Sequence, residues 1–125
     1  MKLHLTTAEN NNLITAYGEG YIEINKQRYT QNLIILPQTL ILDWQVTSFA
    51  KLANEHFRQI SELKPEVVLL GTGATHLFLH PRQHQLLTEN GIALECMTTA
   101  AACRTYNILM SEGRTVAAAL IQQHD

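Results

Sequence analysis

A short turn rich in glycine is the first feature of this sequence that could bind a ligand. Gly71-Thr72-Gly73 follows the apolar run 67–70, which is typical of a strand buried on both faces. A tight turn in that position can direct backbone N–H groups toward an anion. The turn has neither the third glycine of the dinucleotide-binding pattern nor the Gly-Lys-Ser/Thr of a phosphate-binding loop. A turn that only needs glycine dihedral angles is therefore the structural alternative.

A second set of polar residues follows the next apolar run. Thr98 or Thr99 can cap a helix predicted over residues 100–112, which carries Arg104 and Asn107 on one stripe. An arginine near the positive end of a helix is unfavourable unless a carboxylate or a bound anion compensates it. Arg104 is therefore a candidate anion contact, with a solvated or structurally paired side chain as the alternative. For Asn107 the alternative is a side chain that holds a loop backbone.

Three histidines at a spacing of four, His76, His80 and His84, would stack along one face of a continuous helix and suggest a zinc or copper site. Pro81 interrupts any such helix, and residues 76–80 alternate with period two. The sequence therefore favours histidines of a strand and of a helix start over metal ligands. No metal and no other cofactor is predicted.

The two cysteines, Cys96 and Cys103, could supply a nucleophile or a redox pair. A helix start would activate Cys103 if it lowered the pKa of the thiol, but no base is evident and the neighbouring residues are small. Both thiols are predicted to be packed in the interior. Since the sequence also lacks a Gly-x-Ser-x-Gly elbow, it predicts no catalytic residue, and thiol redox sensing is a further hypothesis.

Length and composition restrict the class of protein. A chain of 125 residues with 46% apolar and 16% charged side chains is predicted to be one domain over residues 1–125. A formal net charge of −2, without a dense basic patch, argues against nucleic acid as a partner. No apolar run approaches the length that crosses a bilayer, and the first residues lack the apolar core of a secretory signal. These features predict a cytoplasmic protein with reduced thiols.

The elements that position these residues are predicted from hydrophobic periodicity. In the first half, extended runs predict three strands, at 21–24, 29–36 and 40–46. The turn Asn25-Lys26 makes the first two a hairpin. From Ser48 the spacing becomes helical, and this residue and Pro65 mark the start and the stop of the predicted helix.

The second half alternates strand and helix. Its three predicted strands are 67–70, 92–97 and 114–121. A short helix that starts at Pro81 and the helix 100–112 separate them. If 67–70 and 92–97 are parallel neighbours, the loops that follow them meet at one sheet edge, where crevices commonly bind ligands. The expected fold class is α/β or α+β, with a mixed sheet and helices.

Several segments resemble one known family. They are 69–73, 95–97, 101–109 and 112–114, and the stretch 103–114 is the most specific. Over nearly its whole length the chain is similar to the Mth-type domain of unknown function. That family includes the adipogenesis-associated Mth-domain protein and a mitochondrial assembly factor for respiratory complex I. The resemblance implies a three-layer mixed β-sheet with helices (the Mth-type β/β/α fold), no established reaction, and roles of the assembly-factor or regulatory kind.

Two functions are expected from these observations. The first is a non-catalytic protein-binding, assembly or regulatory module that uses the surface near the Gly71–Gly73 turn and the Arg104 helix. The second is an enzyme or sensor that binds a small anionic metabolite. Its candidate ligand-binding residues are Gly71, Thr72, Gly73, Thr99, Arg104 and Asn107. The sequence does not predict an oligomeric state.

Overall fold

The structure is a computed structural model that describes residues 10–122. Its eight strands are Ile14–Gly18 (β1), Tyr21–Ile24 (β2), Gln27–Tyr29 (β3), Leu33–Leu36 (β4), Thr39–Ile41 (β5), Val67–Gly71 (β6), Ala93–Met97 (β7) and Val116–Leu120 (β8). The α-helices are Asn54–Glu62 (α1), Gln85–Glu89 (α2) and Thr99–Ser111 (α3), and short 3-10 turns cover Phe49–Lys51 and Pro81–His84.

A five-stranded mixed sheet in the order β5-β4-β8-β6-β7 forms the centre of the fold. Strand β6 is parallel to both β7 and β8, whereas β4 is antiparallel to β8. Both β6 and β8 are buried along their whole length, which explains their uninterrupted apolar sequences. The parallel pairing on which the expected crevice depends is therefore present.

Two layers cover the faces of this sheet. Because strand side chains alternate, Leu33 and Ile35 of β4 enter one core while Ile34 and Leu36 enter the other. The first core is closed by helix α3 and by an antiparallel three-stranded sheet in the order β1-β2-β3. The second is closed by α1, α2 and the segment around Trp44. The predicted three-layer fold of sheets and helices is confirmed.

The hairpin turn lies where the sequence places it, but the strand after it is broken. Asn25 and Lys26 join β2 to β3 with positive φ angles of 52° and 72°, as a tight hairpin turn requires. The predicted strand 29–36 divides into β3 and β4, which belong to different sheets. The crossing is held by buried Asn32, whose Nδ2 donates to the Val46 carbonyl and whose Oδ1 accepts from the N–H of Gln122.

Two further elements are shorter than predicted. Of the expected strand 40–46, only the edge strand β5 pairs with a neighbour, while Trp44 and Val46 pack into the second core from irregular backbone. The expected helix from Ser48 is a 3-10 turn followed by α1, which begins after Ala53. In both segments the spacing of the apolar residues reflects their packing against the sheet. Such packing does not require one continuous strand or helix.

Candidate functional site

An open groove of about 530 Å³ lies at the edge of the fold where β6 and β8 end and α3 begins. We call it the edge groove; its lining residues are 17–22, Gly73, Ala74, 98–100, Ile121 and Gln122. The turn between β1 and β2 forms one wall, and the start of α3 forms another. The crevice expected at this edge is therefore present, and Gly73 and Thr99 both line it.

Thr99 connects the three chain segments that meet at the groove. Its hydroxyl accepts the N–H of Gly73 at 2.8 Å and donates to the carbonyl of Ile121 at 2.7 Å. The N–H of Thr99 donates to the carbonyl of Gly73 at 2.9 Å. The Gly73 amide, which the sequence offers as an anion contact, is thus used to join β6 to α3.

The remaining residues of the glycine turn also make internal contacts. A Cβ on Gly71 would lie 2.9 Å from the Thr99 hydroxyl oxygen, so this position requires glycine for close approach. Thr72 is buried, and its N–H donates to the Met97 carbonyl at 2.8 Å. Its hydroxyl donates to the Thr75 carbonyl and accepts the N–H of Leu77 at 3.1 Å. The turn is a tightly bonded structural unit.

The first turn of α3 is capped as the sequence predicts. Thr98 is the N-cap residue, and its hydroxyl accepts the N–H of Ala101 at 3.2 Å. Ala100 also lines the edge groove. As the second residue of the helix, it has an N–H without an intrahelical acceptor. At the other end, Gly113 takes a φ of 83° directly after the C-cap residue, as a helix stop requires.

Helix α3 is rotated relative to the prediction. The sequence places Ala101, Ala102, Thr105, Ile108 and Leu109 on the sheet, but Ile108 is 57% exposed. The fully buried positions are instead Ala102, Cys103, Tyr106 and Met110. The difference arises because contacts with β1 fix the rotation of the helix. Asn107 bonds to Ile14 of β1, and the Tyr106 hydroxyl donates to the carbonyl of Asn12, which precedes β1, at 2.8 Å.

Arg104 reaches the edge groove through a tyrosine. Its side chain is exposed, and Nη1 donates to the hydroxyl oxygen of Tyr17 at 3.1 Å. Tyr17 lines the groove, whereas Arg104 itself does not. The only ion pair within residues 10–122 joins Arg114 to Glu66. No described carboxylate therefore pairs with Arg104. The compensating carboxylate considered for Arg104 is not found in this part of the chain.

Asn107 clamps the outer edge of β1, so it holds backbone as the structural alternative expects, but the backbone of a strand and not of a loop. Its Oδ1 accepts the N–H of Ile14 at 3.0 Å and its Nδ2 donates to the Ile14 carbonyl at 2.7 Å. The side-chain amide thereby takes the place of a neighbouring strand at this edge of the small sheet.

Removal of this clamp should destabilise the fold. For Asn107→Ala we expect the free energy of unfolding to fall by about 2 kcal/mol, because two backbone groups of Ile14 lose their partners. Denaturant titration measures the loss. Asn107→Asp keeps the acceptor but sets a carboxylate oxygen against the Ile14 carbonyl, so it should not recover the loss. An alanine variant within about 0.5 kcal/mol of the parent would show that water replaces both bonds.

The wall formed by β1 and β2, which contains two tyrosines, was not predicted from the sequence. The Tyr21 ring lies against Gly18, where a Cβ would be only 2.9 Å from the ring, and the Arg28 guanidinium carbon lies 3.9 Å from the ring centroid. The available signal was a Gly-x-Gly turn, Gly18 to Gly20, between two tyrosines. Gly20 has a φ of 82°, as this turn requires.

The histidines and cysteines are dispersed. His76 lies outside any strand, contrary to the prediction, and stacks on Phe78 at a centroid distance of 4.2 Å. His80 precedes the second 3-10 turn, where its Nδ1 accepts the N–H of Arg82. Among the described residues no group of three or more His, Cys, Asp or Glu side chains is placed to hold a metal ion.

The two thiols lie in different cores. Burial raises the pKa of Cys103 to about 12 and also raises the pKa of Cys96. Cys103 packs into the core under α3, whereas Cys96 packs against the core on the opposite face of the sheet. Both predicted interior positions are found, although Cys96 is only partly buried.

No helix in the described part of the chain combines the length and the apolar character that a membrane crossing needs.

A family model for a protein of unknown function (DUF498/DUF598) matches residues 14–121. Among curated proteins, the chain is similar to the Mus musculus protein NADH dehydrogenase (ubiquinone) 1 alpha subcomplex assembly factor 3, with 37% identity over 110 residues. The match covers 86% of this chain and 59% of the mouse protein, so the chain spans less than two thirds of this relative.

Solved structures agree with the fold. A crystal structure of a Bordetella parapertussis protein is 42% identical, with a TM-score of 0.84 and coverage of 89% of this chain and 95% of that chain. A solution structure from Bordetella pertussis, described as a Mth938-like domain, is 35% identical, with a TM-score of 0.79 and coverage of 91% and 87% respectively. The resemblance seen in the sequence is confirmed, and the chain belongs to the DUF498/DUF598 family of Mth938-like domains.

Proposed function

We propose that this chain is a non-catalytic protein-binding module that docks a partner in the edge groove. The observation that carries this proposal is the pair of tyrosines at the groove, each held in place by an arginine. Arg104 fixes the hydroxyl of Tyr17, and Arg28 covers the ring of Tyr21. Tyrosine is enriched at the energetic centres of protein interfaces. Side chains that are already ordered lose little conformational entropy when a partner binds.

The relatives support a partner of this kind. The curated mouse relative is named as an assembly factor, and such a protein acts on other proteins. Because the chain spans only 59% of that relative, the identity of the partner does not transfer with the name. A cytoplasmic location and a single domain over residues 1–125 stay predictions of the sequence.

The small-anion function also stays a prediction, with weaker support from the groove. Gly73 donates its N–H to Thr99, and among the lining residues that the structure describes the one charged side chain is the carboxylate of Glu19. A carboxylate in the lining repels an anion. A rise in melting temperature with phosphate or citrate, abolished in Arg104→Gln, would favour the small-anion function instead.

Site-specific photocrosslinking tests the proposed function. Ala74 is exposed and lines the edge groove, so Ala74→p-benzoylphenylalanine places a crosslinker at the site with little disturbance. We expect discrete protein adducts from this position in extracts of the source organism. Gln59→p-benzoylphenylalanine is the control, since Gln59 is exposed on α1, across the five-stranded sheet.

A second change tests the tyrosine wall. Tyr21→Ala in the chain that carries the Ala74 crosslinker should lower the adduct yield about tenfold, as expected for a residue at the energetic centre of an interface. Adducts that form equally from positions 74 and 59, or that Tyr21→Ala leaves unchanged, would contradict the proposed docking site. Circular dichroism of each variant verifies that it is folded.

A further inference from the structure

Two guanidinium groups flank the edge groove on opposite faces of the β1–β2 hairpin. Gly18 pairs with Tyr21 across the two strands, and Tyr17 pairs with Ile22. Since paired residues share a face and neighbouring residues alternate, Tyr17 and Tyr21 project to opposite faces. Arg104 is bonded to the first tyrosine and Arg28 covers the second. The groove therefore has a positive charge on each side of its hairpin wall.

Neither guanidinium has a carboxylate partner among residues 10–122. The only ion pair in that range joins Arg114 to Glu66. Glu23 stands directly across the strands from Arg28, but its carboxylate accepts the Thr15 hydroxyl at 2.8 Å and lies beyond ion-pair distance of the arginine. Both arginines are exposed. They are held in position by tyrosines and keep N–H donors free for carboxylates of another molecule.

We propose that the edge groove receives an acidic segment of a partner protein, with carboxylates that pair with Arg28 and Arg104. This inference rests on the proposed function and names the chemistry of the partner. A single small anion contacts one of the two arginines, because they lie on opposite faces of the hairpin, whereas a stretch of polypeptide can contact both. Glu19 lies in the turn between the two tyrosines and lines the groove, so the part of the segment that crosses this turn carries no acidic residue.

The same crosslinked adducts test this chemistry. In the chain with the Ala74 crosslinker, Arg28→Gln and Arg104→Gln should each lower the adduct yield about fivefold at low salt, the loss of one exposed ion pair. Glu19→Gln should raise the yield, because it removes a repulsive charge. Arg58→Gln is the matched control, since Arg58 is exposed on α1, across the sheet from the groove. Mass spectrometry of the adduct should map the crosslink to a segment with net negative charge.

The outcomes separate this inference from the proposed function. Adducts that neither arginine substitution weakens, or a mapped segment that is neutral or basic, would overturn the inference and leave a docking groove of another chemistry. No specific adduct from position 74 in the parent chain would overturn the proposed function itself.

Discussion

Gly71→Ala is expected to lower the free energy of unfolding by about 3 kcal/mol, because the added methyl group has no room. Its Cβ would lie 2.9 Å from the hydroxyl oxygen of Thr99 and 3.0 Å from both the Thr99 Cα and a Leu120 methyl carbon. Two of these neighbours cannot move freely. The Thr99 hydroxyl is bonded to Gly73 and Ile121, and its Cα belongs to the first turn of α3.

Denaturant unfolding measures this loss, and a second glycine separates steric from conformational effects. Gly91 has a φ of 72° and open space around its Cα, so Gly91→Ala adds only left-handed strain of about 1 kcal/mol. Gly71 is not in the left-handed region, so its substitution adds only the steric conflict. Equal free energies of unfolding for the two variants would show that β6 does not approach α3 as closely as described.

The Gly71 substitution also tests how the groove is built. The displaced Thr99 should release the N–H of Gly73 and the carbonyl of Ile121, which it now joins. Amide hydrogen exchange at Gly73 should therefore accelerate more than exchange at Leu69, which lies in the middle of β6. Equal acceleration at both amides would indicate global destabilisation without a specific effect on the groove.

Above pH 9 the folded protein is expected to lose stability, at up to about 1.4 kcal/mol per pH unit from Cys103 alone. Burial raises the pKa of this thiol from 9.0 to about 12. Between these values the unfolded chain releases the thiol proton while the folded chain retains it, so rising pH favours unfolding. The contribution of Cys103 is complete below pH 9 and is lost as the pH rises toward 12, a total of about 4 kcal/mol.

Cys103→Ala isolates this contribution. The variant should show a flatter loss of unfolding free energy between pH 9 and pH 10, measured by denaturant titration with a reductant present. Burial also raises the pKa of Tyr106 above its ordinary value of 10.0, which adds a loss of the same sign at higher pH. Cys96→Ala is the comparison: burial raises the pKa of this partly buried thiol less than that of Cys103, so this variant should flatten the loss less. A pH dependence that Cys103→Ala leaves unchanged would rule out this thiol as its source.

The sequence predicted the half of the fold in which local patterns and packing agree. The buried apolar runs of β6 and β8 and a threonine cap of α3, at Thr98 or Thr99, were recognisable from residue types. It failed where a segment changes sheets or leaves the ladder, as at Asn32 and around Trp44. At those places the apolar residues contribute to a core without forming a regular element. Hydrophobic periodicity cannot distinguish such a segment from a strand or a helix.

The sequence determined that the loop after β6 and the loop between β7 and α3 meet at one edge. Parallel neighbouring strands bring their carboxyl ends to the same side of a sheet. Tertiary structure alone decided what that edge contains. It brought the β1–β2 hairpin to Arg104 across 87 positions of sequence and gave the Gly73 amide to Thr99, 26 positions away. Side-chain hydrogen bonds depend on which distant groups the packing brings within about 3 Å, and no local pattern of residues specifies that partner.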